Sequence, residues 1–296
     1  MDKPAACAAP AAPAFPDHPS IDHHLPMPEG PEIRRAADRL AEAVVGDPLA
    51  SAWFAFPGLK RFERRLAGRV IESIAPHGKA LLTRFDNGWT MYSHNQLYGV
   101  WRITEAAQRP DTTRSLRVAL ETARSAILLY SASDVAIWRS EELDAHPFLS
   151  RLGPDVLDPG LEEAAVATRL RDPRFAGRAL GGLLLDQGFL AGMGNYLRSE
   201  VLFAARLRPR RRPRDLDAGE LAALARELLA VPRRSYATRG IAPAGGMRAD
   251  YLTDTPEAFR FLVFDREGEP CRACGARIRR LEIGSRRLYL CPRCQR

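Results

Sequence analysis

Four cysteines near the end of the chain form its most specific chemical pattern. Two residues separate Cys271 from Cys274 and Cys291 from Cys294, and 16 residues lie between the two pairs. This spacing is typical of a zinc ribbon, in which each CxxC turn directs two thiolates toward one tetrahedral ion. Because four thiolates leave no open coordination position, the pattern predicts a structural zinc rather than a catalytic one.

A pair of disulfide bonds is the alternative for these cysteines. The only other cysteine of the 296 residues is Cys7, and no basic stretch followed by an apolar core predicts a secretory signal. Disulfides are rare in proteins that stay in a reducing compartment. Cysteine usage therefore favours one structural Zn²⁺ per chain, and we expect no organic cofactor.

The charge of the chain is positive and unevenly distributed. Lys and Arg number 44 against 36 Asp and Glu, a net charge of +8, and residues 1–26 carry −2, so the other 270 carry +10. Six arginines fall between positions 206 and 214, and nine arginines face four acids over 265–296. A run of arginines is most often a solvated face, but this excess favours a polyanionic partner.

No apolar run approaches the roughly 20 residues of a membrane span, which excludes a spanning protein.

The elements that would position these groups change character along the chain. Residues 1–26 are rich in Ala and Pro and predict a disordered extension. A helix is predicted to begin at Pro31 and end near Gly46, with apolar residues at helical spacing, namely Ile33, Ala37, Leu40 and Val44. Short strand-like runs follow at 52–56, 70–75, 80–85, 90–93, 100–103, 116–120 and 127–131. Together they predict a β-sandwich of about 120 residues beside this helix.

After Pro154 the apolar period becomes helical. Four helices are predicted, at 161–170, 183–187, 196–205 and 221–230, the last beginning at a capping box of Asp217 and Glu220. The glycine-rich segment 188–195 could present backbone amides to an anion at a helix N-terminus, although most such segments are only turns. Residues 259–264 and 288–290 are predicted pieces of a β-hairpin in the zinc ribbon. These patterns alone indicate a nucleic-acid-binding protein that could be an enzyme.

Several motifs in order resemble one family. They are the run MPEGPE at 27–32, Gly78-Lys79, Asn195, and Ser285-Arg286 ahead of Cys291-Pro292. With the segments 92–99, 129–134 and 153–157, the chain is similar to the formamidopyrimidine-DNA glycosylase/endonuclease VIII family, in particular its bacterial endonuclease VIII branch, from Met27 to Arg296. The implied fold is α+β and multidomain: an N-terminal β-sandwich with a flanking helix, a helix–two-turn–helix domain and a zinc ribbon. The expected boundaries are 1–26 for the extension, 27–150, 151–258 and 259–296.

The resemblance implies a base-excision-repair enzyme that removes oxidised bases, mainly pyrimidines, and then cuts the strand by β,δ-elimination. The implied nucleophile is the secondary amine of Pro28, which would form a Schiff base with the sugar. Glu29 would be the general acid and base, and Lys79 would contact the lesion and its phosphates. Glu32 would orient or tune the amine, or would only favour the helix dipole. The implied catalytic set is Pro28, Glu29, Glu32, Lys79 and Arg286.

DNA contacts follow from the same resemblance. Asn195 and Arg286 match a phosphate clamp, which would give the structural zinc a purpose because it fixes the hairpin that carries the arginine. Gln96, Leu97 and Tyr98 match a wedge that fills the gap left by a nucleotide leaving the stack. Without the resemblance this triplet would be interpreted as strand core. The implied partner is damaged double-stranded DNA, bound by a cytoplasmic monomer with no membrane contact.

One departure from the family pattern concerns the nucleophile. In this sequence Pro28 follows Met27, and an internal proline nitrogen is a tertiary amide that cannot form an iminium. Three explanations stay open: translation begins at Met27 and that Met is trimmed, the extension is removed by proteolysis, or the full chain is catalytically silent. Other functions also stay open, namely a non-catalytic nucleic-acid-binding zinc-ribbon protein and an 8-oxoguanine glycosylase. The loop 241–257 is where we expect base choice to be influenced.

Overall fold

The structure is a computed structural model that describes residues 28–238 and 261–296. The extension predicted at 1–26, Met27 and the loop 241–257 lie outside the described residues.

The first helix, α1 (Gly30–Val44), forms as its apolar spacing predicts. Ile33 and Leu40 are buried in the core, and Pro31 occupies the first turn, where its missing N–H costs nothing. The backbone turns at Gly46, whose φ of +87° favours glycine. The helix therefore presents one apolar face to the sandwich and begins directly at Glu29 and Gly30.

Two four-stranded antiparallel sheets form the N-terminal β-sandwich, with strand orders β1-β6-β7-β5 and β2-β3-β4-β8. The strands are β1 Ser51–Phe54, β2 Ile71–His77, β3 Ala80–Phe85, β4 Trp89–His94, β5 Val100–Glu105, β6 Leu116–Glu121, β7 Ser125–Tyr130 and β8 Asp134–Arg139. Apolar side chains of both sheets and of α1 share one core. The seven predicted strand runs are confirmed, and β8 is an eighth that the sequence patterns missed.

A second short helix, α2 (Lys60–Leu66), was also not predicted. It buries only Phe62 and Leu66, one helical turn apart, and packs against β1. Two apolar positions are too few for a periodic signal.

The middle of the chain is helical, with α3 Glu163–Arg171, α4 Pro173–Ala176, α5 Leu180–Leu183, α6 Asn195–Ala204 and α7 Ala218–Thr238. The predictions at 161–170, 196–205 and 221–230 are confirmed by α3, α6 and α7. The capping box is confirmed as well, because Asp217 N donates to Glu220 Oε2 at 3.1 Å and Glu220 N donates to Asp217 Oδ1 at 2.8 Å.

The helix predicted at 183–187 is wrong, because α5 ends at Leu183. Asp186 closes the next turn with its own side chain, whose Oδ1 accepts the N–H of Gly188 at 2.8 Å. A short polar side chain that bonds the backbone two residues on competes with helix continuation.

The C-terminal hairpin pairs β9 (Arg279–Glu282) with β10 (Arg287–Leu290). The prediction at 288–290 is confirmed, but the described residues 261–264 are not a strand. Their backbone N–H groups turn instead toward the buried Glu200 carboxylate, which accepts from Leu262, Val263 and Phe264 at 2.8–3.1 Å. One apolar core joins the hairpin to the helices, so its position is fixed against α6.

Candidate functional site

The four cysteines converge as the spacing predicts. Their Sγ atoms all lie within 4.8 Å of one another, with 3.9 Å between Cys271 and Cys294 and 3.4 Å between Cys274 and Cys291. None of them forms a disulfide, so the disulfide alternative is wrong. Zn–S bonds of about 2.3 Å in a tetrahedron place sulfurs about 3.8 Å apart, which these distances fit. The four thiolates would hold a zinc ion that stabilises the base of the hairpin.

The turn of this hairpin projects Arg286 into solvent. Gly284 and Ser285 precede it with φ of +61° and +55°, and Arg286 itself is exposed. The Arg286 N–H donates to Ile283 O at 3.3 Å, which closes the turn. Zinc at one end and a tight turn at the other therefore fix the backbone of this arginine.

Glu29 sits at the junction between α1 and α6. Its buried carboxylate accepts the N–H of Tyr196 at 2.7 Å on Oε1 and that of Leu197 at 3.2 Å on Oε2. The predicted anion site at the start of α6 is therefore occupied by a carboxylate of the same chain. Gly194 is required here, since a Cβ at this position would lie 2.3 Å from Glu29 Cδ. The residue before Glu29 in the chain, Pro28, is half-buried.

Burial dominates the protonation state of Glu29. Desolvation by burial, with a smaller contribution from the nearby Glu32, raises the pKa of Glu29 to about 8, although the charge of Lys79 and the amides of Tyr196 and Leu197 act in the opposite direction. A carboxyl group with this pKa is mostly protonated at neutral pH and is therefore equipped to donate a proton.

Lys79 lies in the tight turn between β2 and β3. Gly78 before it has a φ of +63°, and the Gly78 N–H donates to Asp155 Oδ2 at 2.8 Å, which fixes the turn. The Lys79 ammonium is within electrostatic reach of Glu29 and Arg286, and desolvation lowers the pKa of Lys79. Lys79 thus interacts electrostatically with both of these predicted site residues. Asp155 was not predicted as a site residue, although it lies in the segment 153–157 that resembles the family.

Glu32 belongs to a buried network rather than to a solvated helix end. Its Oε2 accepts the N–H of Glu29 at 3.0 Å, and its Oε1 accepts Arg35 Nη2 at 2.8 Å. The Tyr196 hydroxyl lies 3.0 Å from both oxygens, and Arg35 also donates to Ser235 O at 2.8 Å. Burial raises the pKa of Glu32, while Arg35 lowers it. The orienting role is the one this geometry favours, because Glu32 fixes the backbone that joins Glu29 to Pro28.

Asn195 and Arg286 are joined through a residue that the sequence patterns did not single out. Arg198 is fully buried, and its Nη2 donates to Asn195 Oδ1 at 2.9 Å and to Arg287 O at 3.0 Å. The only sequence signal was an arginine three residues after the asparagine on one helix face.

The predicted wedge residues lie in the loop between β4 and β5. Leu97 and Tyr98 are 60% and 59% exposed, so the strand-core interpretation is wrong for them. Gln96 has a φ of +51°, and its N–H donates to His94 Nδ1 at 3.0 Å. His94 pairs with Ala80, the residue after Lys79, so the loop and Lys79 lie at the same end of the strands β3 and β4.

Comparison with known proteins gives this arrangement a family. The formamidopyrimidine-DNA glycosylase N-terminal domain matches residues 27–132, the H2TH domain of the same enzyme matches 152–242, and the zinc finger found in FPG and IleRS matches 268–296. The chain belongs to the formamidopyrimidine-DNA glycosylase family. The β-sandwich, the helix–two-turn–helix part and the zinc ribbon expected from the sequence are thereby confirmed.

Curated relatives place the chain within the family. It is 53% identical to Endonuclease 8 of Escherichia coli O9:H4 (strain HS) over 269 residues, which are 91% of this chain and 100% of the relative. Endonuclease 8 of Shigella flexneri is similar to the same extent, with 53% identity over 269 residues, 91% of this chain and 100% of the relative. As a homologue of these proteins, the chain is a DNA-repair enzyme of the glycosylase and AP lyase class, which favours an enzyme over a non-catalytic zinc-ribbon protein.

Solved structures share the fold at lower identity. Lactococcus lactis Fpg (MutM) in complex with DNA that contains N7-benzyl-Fapy-dG superimposes with a TM-score of 0.76 and 20% identity, covering 91% of this chain and 100% of that one. The complex of Lactococcus lactis Fpg with abasic-site DNA gives the same TM-score of 0.76 and 20% identity, covering 90% of this chain and 99% of that one.

Among the described residues no helix has the length and apolar character needed to cross a membrane.

Proposed function

We propose that this glycosylase excises oxidised pyrimidines from double-stranded DNA through a Schiff base on Pro28 and then cuts the strand by β,δ-elimination. The observation that carries the proposal is the buried Glu29 carboxyl group, which is adjacent to Pro28 and has a pKa raised to about 8. The 53% identity to Endonuclease 8 supports a pyrimidine preference over 8-oxoguanine.

In the first step the free amine of Pro28 attacks the sugar C1′ of the damaged nucleotide. The bond from C1′ to the base breaks, and the base leaves with the bonding electrons. The attacking nitrogen loses its proton to the departing base, Glu29 donates its proton to the ring oxygen O4′, the C1′–O4′ bond breaks so that the ring opens, and an iminium forms between C1′ and the proline nitrogen. An α-amino group has an ordinary pKa near 8, so a usable fraction is neutral near pH 7.

The iminium then acidifies the adjacent C–H bond of the sugar. The Glu29 carboxylate, having lost its proton, accepts the C2′ proton, and the 3′ phosphate leaves in the β-elimination. In the δ-elimination that follows, the C4′ proton is lost to solvent water and the C5′–O bond breaks, so that the 5′ phosphate leaves with the bonding electrons. The amides of Tyr196 and Leu197 hold the carboxylate in place through these transfers. Lys79 supplies the positive charge that faces both Glu29 and the phosphates.

Phosphate contacts hold the damaged strand over this site. Asn195 and Arg286 form the clamp, and Arg198 fixes the distance between them. The exposed Leu97 and Tyr98, together with Gln96, fill the gap when the nucleotide turns out of the stack. Affinity for DNA should therefore fall steeply with salt concentration.

Three wider assignments complete the proposal. The enzyme acts as a monomer in the cytoplasm, where its DNA substrate lies. The catalytic β-sandwich spans 27–150, the helix–two-turn–helix part 151–258 and the zinc finger 259–296, a division supported by family matches at 27–132, 152–242 and 268–296.

The mechanism also needs a polypeptide whose first residue is Pro28, because a tertiary amide nitrogen has no lone pair available for attack.

Borohydride trapping on a duplex that contains thymine glycol tests this mechanism. We expect a covalent adduct with a polypeptide that begins at Pro28 and none with one that begins at Met1. A Pro28→Gly variant of the shorter form keeps a primary amine and should trap weakly. Intact mass before the assay establishes which N-terminus is present. Equal trapping by the Met1 form with its mass unchanged would rule out Pro28 as the nucleophile.

Lesion preference needs a separate comparison. Single-turnover excision of thymine glycol should be faster than excision of 8-oxoguanine opposite cytosine. Faster excision of the purine would overturn the assignment to oxidised pyrimidines and leave the Schiff-base mechanism intact.

A further inference from the structure

A surface pocket of about 410 Å³ lies at an end of the β-sandwich that the catalytic mechanism does not use. Its walls come from α2, the segment after it, the turn between β3 and β4, and the end of β8. The side chains that define it are Arg64, Arg65, Arg69, Arg139, Asn87 and Trp89.

The pocket is a built feature and not a chance grouping of long side chains. Trp89 and Arg139 are directly paired across β4 and β8, and Arg139 Cζ lies 4.3 Å from the centre of the Trp89 ring. Phe62 of α2 packs edge-on against the same ring at 4.9 Å. Asn87 Nδ2 donates to Arg65 O at 3.1 Å, which ties the β3–β4 turn to α2. Both walls are therefore fixed relative to each other.

The charge of the pocket is uncompensated. Arg64, Arg65, Arg69 and Arg139 are all exposed, and within the described residues none of them has a carboxylate within 4.0 Å. On the same helix, by contrast, Lys60 pairs with Glu63 at 2.9 Å. Two of the four arginines lie in the last turn of α2, where the helix dipole favours cations. Arg69 and Arg139 lie outside this helix, so its dipole does not explain why positive charge collects at their positions.

The position of the pocket separates it from the lesion site. Lys79 precedes β3 (Ala80–Phe85), whereas Asn87 follows the same strand. A strand of this length spans about 20 Å. The pocket therefore lies at the opposite end of the strands from Lys79 and from the wedge loop.

We propose that this pocket is a second, non-catalytic phosphate-binding site. Guanidinium groups match phosphate oxygens in planar, bidentate pairs, and arginines converging on one concavity lower their mutual repulsion by binding an anion. The phosphate comes either from a DNA backbone outside the lesion site or from a free polyphosphate. The DNA source rests on the proposed function, whereas binding of a free anion does not.

A matched pair of double variants tests the site in the full chain. Arg69→Gln with Arg139→Gln removes two pocket cations, and Arg61→Gln with Arg124→Gln removes two exposed arginines of the same domain outside the pocket. Titration calorimetry with pyrophosphate should show about tenfold weaker binding for the pocket variant and no change for the control. Since all four side chains are exposed, both variants should keep the melting temperature, and Arg69→Lys with Arg139→Lys should retain partial binding.

Salt dependence of binding to undamaged duplex DNA identifies the source of the phosphate. If it is the DNA backbone, the slope of log K against log salt becomes shallower by about 0.9 per lost phosphate contact in the pocket variant. A weaker pyrophosphate titration with an unchanged slope assigns the pocket to a free polyphosphate. If pocket variant and control behave alike in both measurements, the proposal is overturned. Borohydride trapping should be equal in both, so a failure here is independent of the Pro28 mechanism.

Discussion

The buried Arg198 guanidinium donates from Nη2 to the side-chain oxygen of Asn195 at 2.9 Å, and the same nitrogen reaches Arg287 O at 3.0 Å. Its other terminal nitrogen donates to Gly181 O at 2.6 Å. One cation therefore joins α6 to the hairpin that carries Arg286. The two proposed phosphate contacts, Asn195 and Arg286, are 91 positions apart in the sequence, and this residue sets their spacing.

Replacement of Arg198 by Met should weaken both the fold and the grip on DNA. It leaves the buried carbonyl of Gly181 without a donor, at a cost of about 1–3 kcal/mol, and it removes the donor to the partly buried carbonyl of Arg287. We expect a lower melting temperature together with a steep loss of affinity for abasic-site DNA. The exposed Arg210→Met variant is the control for the loss of one charge. An Arg198→Met protein with unchanged stability and affinity would contradict the linking role.

The sequence predicted the zinc site and most of the sandwich because local spacing determines them. It missed β8, whose residues from Asp134 to Trp138 are all half-buried, so that no alternation marks the strand. It also missed Arg198, which looks like any helical arginine until α6, α5 and the hairpin meet around it. The anion site at α6 was predicted from glycines, but only the fold shows that Glu29, 167 positions from Tyr196, fills it.

Replacement of Leu97 by Ala should slow excision without affecting the fold. Leu97 is 60% exposed, so truncation costs little stability. If its side chain fills the gap in the helix, the loss should slow single-turnover excision from duplex DNA by about tenfold. The same lesion in single-stranded DNA needs no wedge and is the matched control. Equal slowing on both substrates would show that Leu97 acts elsewhere in the reaction.

The raised pKa of Glu29 should appear as an alkaline limit on base excision. Because the acid form is the proton donor and its pKa is about 8, the single-turnover rate should fall as pH rises through that value. Glu29→Gln should lower excision by about 10²–10⁴-fold and abolish this alkaline limb. The rate is measured on thymine glycol duplexes at constant ionic strength. An alkaline limb that persists unchanged in Glu29→Gln would assign it to another group.

Protonation of His94 should release the wedge loop at low pH. Its Nδ1 accepts the N–H of Gln96, and a nitrogen can accept a hydrogen bond only while it is unprotonated. This bond helps to hold the loop, because Gln96 has a φ of +51° in the left-handed region. Burial lowers the pKa of His94, Asp134 raises it and Lys79 lowers it again, while the Phe148 ring packs against the imidazole at 5.4 Å. The folded protein therefore keeps this group neutral under conditions that protonate it in the unfolded chain.

The direction of the pH effect follows from that difference. Below the ordinary histidine pKa of about 6.5 the unfolded chain takes up a proton that the folded chain does not, so this contribution to stability is complete above that pH and is lost as pH falls below it. His94→Asn keeps an acceptor oxygen bonded to Cγ, as Nδ1 is, but does not titrate. Because the folded protein keeps His94 neutral near pH 6.5, we expect duplex excision by the wild type to fall more steeply than excision by His94→Asn only at pH values well below 6.5, with no such difference on single-stranded DNA. Parallel pH profiles on duplex DNA would show that His94 does not control the loop.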